Sequence, residues 1–206
     1  MASAFERRTL ARAALRLNAR AGFAGLLPAL VLMTDERRLA DPAAAALALP
    51  KGSAVIVRHT KSPERAKLAH ALADIARDNS LVLLVAGDPA LADAVRADGL
   101  HLPEARLAEA AHWRSLRPQW LITVAAHSAT SLRRAGEVGA HAAFLAPVFA
   151  TKSHPKAQPL GPMRFINMAR EADLPVYALG GITAANVGRL ANARIAGLAA
   201  IEALTA

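Results

Sequence analysis

The stretch from Ala142 to Gly181 reads AAFLAPVFATKSHPKAQPLGPMRFINMAREADLPVYALGG. Its opening apolar run, Ala142–Phe149, predicts a strand. A polar loop follows through Thr151, Lys152, Ser153, His154 and Pro155, and runs on to Pro159, Leu160 and Gly161. Pro162–Asp173 has a helical pattern with proline at its first position. A second apolar run, Pro175–Leu179, ends in Gly180 and Gly181. The order is strand, loop, helix, strand, glycine pair. A hydroxyl-bearing loop after one strand and a glycine pair after the next can aim backbone N–H groups at one phosphate. By itself a Gly-Gly pair is a common tight turn; the rest of the chain gives it weight.

Working outward, the same alternation fills the sequence. Strands are predicted at Ala29–Met33, Ala54–Arg58, Leu81–Ala86, Gly99–Leu102, Leu121–Ala126, Ala142–Phe149, Val176–Leu179 and Gly197–Ile201. Helices are predicted between them at Pro42–Leu49, Pro63–Arg77, Pro89–Ala97, Leu107–Leu116, Thr130–Val138, Pro162–Ala172 and Ala184–Ala193. Asp41-Pro42, Ser62-Pro63 and Asp88-Pro89 each set a capping residue before a proline. Strict alternation implies parallel strands. Eight such units in one domain spanning residues 1–206 predict an α/β fold, a TIM (β/α)8 barrel. An extra N-terminal helix, Ala4–Ala21, is expected to lie across the end opposite the active site. Its Arg8, Arg12, Arg16 and Arg20 recur every four residues as a basic stripe, either a solvated face or a surface for an acidic partner.

Bulk composition narrows the function. Hydrophobic residues are 54% and aromatics 4%, so the core is aliphatic, as buried parallel strands under Ala-rich helices require. Cysteine is absent, which excludes disulfides and thiolate metal sites and is compatible with a cytoplasmic location. A net charge of +9 suits anionic ligands. Scarce aromatics and the lack of a recognition motif argue against nucleic acid. The apolar run near residues 21–33 contains Pro28, is too short to span a bilayer and leads straight into Thr34-Asp35, so no membrane partner is expected.

In a barrel, chemistry sits at the C-terminal ends of the strands. Read in order, those places hold Thr34 and Asp35; Arg58, His59 and Lys61; Gly87 and Asp88; His101, Pro103 and Glu104; His127 and Ser128; Thr151, Lys152, Ser153 and His154; Gly180 and Gly181; and Glu202. Cations and hydroxyls dominate, as a phosphate-binding mouth needs. His127 is the acid/base candidate, since imidazole titrates near neutrality. His101 falls inside a strand and reads as structural.

Five segments carry a resemblance: Ala97-Asp98-Gly99-Leu100-His101-Leu102, Ala126-His127-Ser128, Ala146-Pro147-Val148-Phe149-Ala150-Thr151, Ala178-Leu179-Gly180-Gly181-Ile182 with Asn186, and Gly197-Leu198-Ala199-Ala200-Ile201. In this order the chain resembles the thiamine phosphate synthase/TenI family, from about Val31 to Leu204. The resemblance implies a single-domain barrel, often a homodimer. It implies either of two reactions on a thiazole phosphate. Synthases join it to a hydroxymethylpyrimidine pyrophosphate with Mg²⁺; TenI-type members isomerise the thiazole with a histidine and no metal cofactor.

Carried over residue by residue, the resemblance assigns the phosphate to Thr151, Ser153, Gly180, Gly181 and the Ile201–Glu202 backbone. Glu202 stands where a small hydroxyl residue is usual. The pyrimidine side keeps Arg58, has Lys61 one place late, and has His154 for the usual lysine. Ile56 replaces a glutamine. The two places for metal carboxylates hold Gly87 and Arg106, with Asp88 and Glu104 as the nearest acids. Mg²⁺ wants hard oxygen ligands, so the resemblance points first to a TenI-like tautomerase with His127 as acid/base. A divergent thiamine phosphate synthase (a thiamine-phosphate diphosphorylase, using Mg²⁺) and a non-catalytic ligand-binding regulator are the alternatives.

Overall fold

The computed structural model describes residues 2–151 and 158–205. Eight parallel strands close into a barrel in sequence order: β1 (Leu30–Met33), β2 (Ala54–Val57), β3 (Val82–Ala86), β4 (Gly99–Leu102), β5 (Leu121–Ala126), β6 (Ala142–Leu145), β7 (Val176–Leu179) and β8 (Gly197–Ala200). β8 returns to β1 through the Val31–Ala199 register. Each strand alternates its side chains. In β2, Ile56 points into the barrel with Val31, Met33, Leu84, Phe144 and Tyr177, while Val55 and Val57 face the helices. The interior is plugged at mid-height by Phe144 stacked on Tyr177, with ring centroids 4.6 Å apart. Above that plug the lining residues shrink to Ala86, Ala125 and Ala199, and the missing side-chain volume becomes the pocket at the C-terminal mouth.

The outer helices are α1 (Ala4–Ala21), α2 (Pro42–Leu47), α3 (Arg65–Asp78), α4 (Pro89–Ala94), α5 (Ala110–Leu116), α6 (Ala129–Glu137) and α7 (Pro162–Arg170). Asp41 and Asp88 cap as their sequence predicts: Oδ1 of Asp41 accepts from the Ala44 amide at 2.9 Å, and Oδ1 of Asp88 from the Leu91 amide at 3.0 Å. Ser62 does not cap; its Oγ accepts from the Glu64 amide at 3.2 Å, and α3 starts later than expected.

Two helical expectations fail. α1 does not cross the closed end of the barrel. It runs down the side, from the mouth, where the Ala2 amide donates to Thr205 Oγ1 at 3.0 Å, to the base, where Asn18 Nδ2 donates to the Ala196 carbonyl at 2.6 Å. The reason is a vacant groove. After β8 the described chain forms only a 3₁₀ turn, Glu202–Leu204, so the outer face of β8 and β1 would be bare. α1 fills it with Leu10, Ala14 and Leu17 and takes the place of a helix after β8. The second failure lies between β7 and β8. The helix expected over Ala184–Ala193 is a 3₁₀ turn, Val187–Leu190. Gly188 weakens helix propagation there, and Asn186 is committed to the preceding loop: its Oδ1 accepts from the Thr183 amide at 2.9 Å and its Nδ2 donates to the Gly181 carbonyl at 2.8 Å.

Candidate active site

A pocket of about 990 Å³ opens at the C-terminal ends of the strands. Of the residues singled out in the sequence, Arg58, His127, Thr151, Gly180, Gly181, Ile201 and Glu202 line it. Lys61 is exposed outside it, and Asp88 and Glu104 are not among its lining residues. Ser153 and His154 lie outside the described residues. The sequence reading missed the wall formed by Ala2, Glu6 and Leu10. No local motif marks these residues; only the placement of α1 brings them to the mouth.

On one side of the mouth the backbones are locked together. Gly180 and Gly181 both have positive φ, +99° and +65°, which glycine adopts without strain. A Cβ on Gly181 would come within 2.3 Å of the Ala150 carbonyl oxygen, and one on Gly180 within 2.8 Å of Pro147. The glycines are needed so that the loop after β7 can lie against the loop after β6. Phe149 N–H donates to the Gly180 carbonyl at 3.0 Å, and Asn186 holds the Gly181 carbonyl. Both carbonyls of the pair are thus turned to protein donors. The positive end of a long helix does not add to this, because the turn that follows is four residues long.

His127 stands at the end of β5. The Ala146 carbonyl lies 2.9 Å from its Nδ1. A carbonyl can only accept, so Nδ1 carries the proton and Nε2 is the atom left for chemistry. Nε2 lies 3.9 Å from Glu104 Oε2, an oxygen buried without a hydrogen-bond partner. The Ser131 hydroxyl accepts from the His127 amide at 3.1 Å and fixes the backbone beneath the ring. His101 is, as its position predicts, part of the barrel interior: Nδ1 sits 3.0 Å from Thr123 Oγ1 and the ring meets Phe144 edge-on. Burial, with the Arg58 charge, pushes its pKa down to about 3.

The loops after β1 to β4 are built from ion pairs. Arg38 and Arg58 both donate to Asp35 Oδ2, the first at 2.7 Å. Burial pushes the Asp35 carboxyl up, but its bonds to Arg38 and the Arg37 amide and the Arg38 and Arg58 charges outweigh that and hold it at about 2. His59 is buried against Thr34, 2.8 Å from Nδ1 to Oγ1, and burial lowers its pKa. Asp88 spends one oxygen capping α4 and turns the other to Arg65 at 3.4 Å. Arg106 is held by both oxygens of Glu109, at 2.6 and 2.7 Å, and donates to the Gly87 carbonyl at 2.6 Å. A Cβ on Gly87 would stand 3.5 Å from the Arg106 guanidinium.

These residues do not fit a divalent cation. Mg²⁺ needs several oxygens converging on one point, and no group of three or more His, Asp or Glu among the described residues could hold an ion. The Arg106 guanidinium stands against Gly87, at the two places where the resemblance sets metal carboxylates.

Parallel barrel, mouth pocket and glycine-locked loop pair define an α/β barrel with a ligand-sized pocket at the C-terminal ends of its strands. Comparison with known proteins narrows the class. Residues 30–204 match the model of the thiamine monophosphate synthase family, and the chain belongs to that family. "Putative thiamine-phosphate synthase 2" of Aquifex aeolicus is 34% identical over 162 residues, 76% of this chain and 87% of its own. Thiamine-phosphate synthase of Methanoculleus marisnigri is 35% identical over 182 residues, 85% and 86% of the two chains. Among solved structures, thiamine phosphate pyrophosphorylase of Pyrococcus furiosus superposes with a TM-score of 0.74 over 92% of this chain and 91% of its own. At 24% identity that likeness speaks for the fold alone. Among the described residues, no helix is long and apolar enough to cross a membrane.

Proposed function

We propose that this chain binds a thiazole phosphate in thiamine biosynthesis and moves a proton on its ring, as a tautomerase of the TenI type. The observation that carries the reading is the fixed histidine: Nδ1 tied to the Ala146 carbonyl at 2.9 Å, leaving Nε2 for the substrate. Thr151, Ser153, Gly180, Gly181 and the backbone of Ile201 and Glu202 cradle the phosphate. Glu202 lines the same pocket, and a carboxylate beside a phosphate repels it, so this reading requires its charge to turn away from the anion. The ring then lies over the alanine layer, within reach of Nε2. His127 takes a proton from one ring position and returns it to another, so the reaction is an isomerisation with no group gained or lost. Glu104, whose Oε2 stands 3.9 Å from Nε2, stabilises the imidazolium that forms between the two steps.

A second reading is a thiamine-phosphate synthase, and the names of the relatives favour it over the isomerase. Arg58, Lys61 and His154 then meet the pyrophosphate, and Asp88 and Glu104 must leave their present partners to hold Mg²⁺. One pair of assays separates the readings. With thiazole phosphate in deuterated water, EDTA-insensitive exchange of a ring-derived proton supports the tautomerase. Thiamine phosphate formed with pyrophosphate release only in the presence of Mg²⁺ replaces it with the synthase. Saturable binding with neither reaction leaves a ligand-binding regulator.

A further inference from the structure

Apart from Glu6, the side of the barrel formed by α1 and the Val187–Leu190 turn carries positive charge only. Residues 7–34 and 174–201 contain no Asp or Glu, although the chain has 16, and they carry seven arginines. Arg8, Arg12, Arg16 and Arg20 are exposed along the outer face of α1, and Arg189 and Arg194 extend the patch. Arg20 ties the two parts together by donating to the Ala191 carbonyl at 2.6 Å. Among the described residues, Arg8, Arg12, Arg16 and Arg194 enter no ion pair with a carboxylate. The one acid of α1, Glu6, is turned back to cap the helix through Ser3 at 2.7 Å.

Arginines spaced four apart on a helix repel one another, and among the described residues no carboxylate pairs with Arg8, Arg12 or Arg16. Three of the large exposed apolar side chains lie in the same region: Phe5 at 70%, Leu15 at 58% and Leu26 at 75% exposure. The helix between them is rigid, held by its capping box at one end and Asn18 at the other.

We propose that this face docks the protein on an anionic lipid surface. The arginines match lipid phosphates and carboxylates, and basic clusters on a helix are the usual form of such recognition. Phe5, Leu15 and Leu26 decide between polyanions. They have no partner along a phosphodiester backbone, and one phenylalanine among leucines is no stacking platform, whereas the headgroup–acyl boundary takes apolar side chains. A straight helix of about 27 Å offers a plane in its turn a line of contact, and the α1 wall of the mouth pocket would lie beside the bilayer.

The test is flotation of the full chain with two kinds of vesicle, phosphatidylcholine alone and phosphatidylcholine with about three parts in ten phosphatidylserine. Binding should require the anionic lipid and weaken with salt. Arg12→Glu with Arg16→Glu should lower partitioning by about tenfold or more; Phe5→Ser with Leu15→Ser should lower it a few fold with the same salt dependence. Should the helix variant lose its melting transition, Arg189→Glu with Arg194→Glu gives the same readout outside α1. Equal binding to both vesicles, no binding to either, full binding by a folded reversal variant, or displacement by a single-stranded RNA at lower concentration than soluble phosphatidylserine would each overturn the proposal.

Discussion

The two halves of the mouth are made of different material. Around β6, β7 and β8 the wall is backbone: Gly180 and Gly181 lie against Pro147 and Ala150 so closely that a methyl group has no room. Around β1 to β4 the loops are held by side-chain charge, with Arg58 on Asp35, Arg65 on Asp88, and Arg106 on Glu109 and Gly87, and of these charges Arg58 lines the pocket itself. A backbone cradle tolerates substitution elsewhere because its geometry is fixed by packing. A cradle of ion pairs changes its ligand when single residues change. The half proposed to hold the phosphate is therefore the rigid one, and the other half is built of exchangeable charges.

His127 stands between the halves, and its removal should have the largest effect. His127→Ala should lower turnover by about 10²–10⁴-fold, the usual range for a lost acid/base. Thiazole phosphate affinity by calorimetry should stay nearly unchanged, since the proposed anchor is the backbone half. A variant that loses stability but keeps its turnover per folded molecule would make the histidine structural.

The rigid half is broken by Gly181→Val. The new side chain meets the Ala150 carbonyl and must adopt positive φ, so a loss of about 2–4 kcal/mol in denaturant unfolding is expected, with phosphate binding lost as well. If Gly181→Val folds normally and binds phosphate, the two loops are not locked.

Acid should weaken the barrel through His101. Its pKa is 6.5 in the unfolded chain and about 3 when folded. The unfolded state therefore binds the extra proton first, and stability falls as pH drops from 6.5 towards 3. Asp35, held at about 2, adds a further loss as pH falls below the ordinary carboxylate range. His101→Gln should flatten the upper part of this limb, measured as the urea midpoint against pH.

The smallest effect sharpens the contrast most. Gly87→Asp alone should form an ion pair with Arg106 and leave melting insensitive to Mg²⁺. Gly87→Asp with Arg106→Asp removes the guanidinium and supplies two carboxylates, and Mg²⁺ should then raise the melting temperature by a few degrees. A response to Mg²⁺ in the parent chain would show that the charged half already holds a metal.

The sequence by itself determined the barrel, because short continuous apolar runs alternating with helical ones leave parallel closure as the way to bury both faces of the strands. It also placed His127, Arg58, Thr151 and the glycine pair at the mouth, since strand ends fix that side of the fold. Tertiary structure alone decided where α1 goes: a bare groove over β8 and β1, formed by residues far apart in the chain, draws it to the barrel's side and makes Ala2, Glu6 and Leu10 part of the pocket wall. Which acids stay free was likewise illegible, because a carboxylate's role depends on its neighbours in space. Asp88 reads as a candidate ligand and is a helix cap facing Arg65, and Glu104 reads the same way and faces His127. Hydrophobic pattern is local and periodic, so sequence carries it; ion pairing depends on side chains from different loops meeting at distances of 3–4 Å, and only the folded chain sets those.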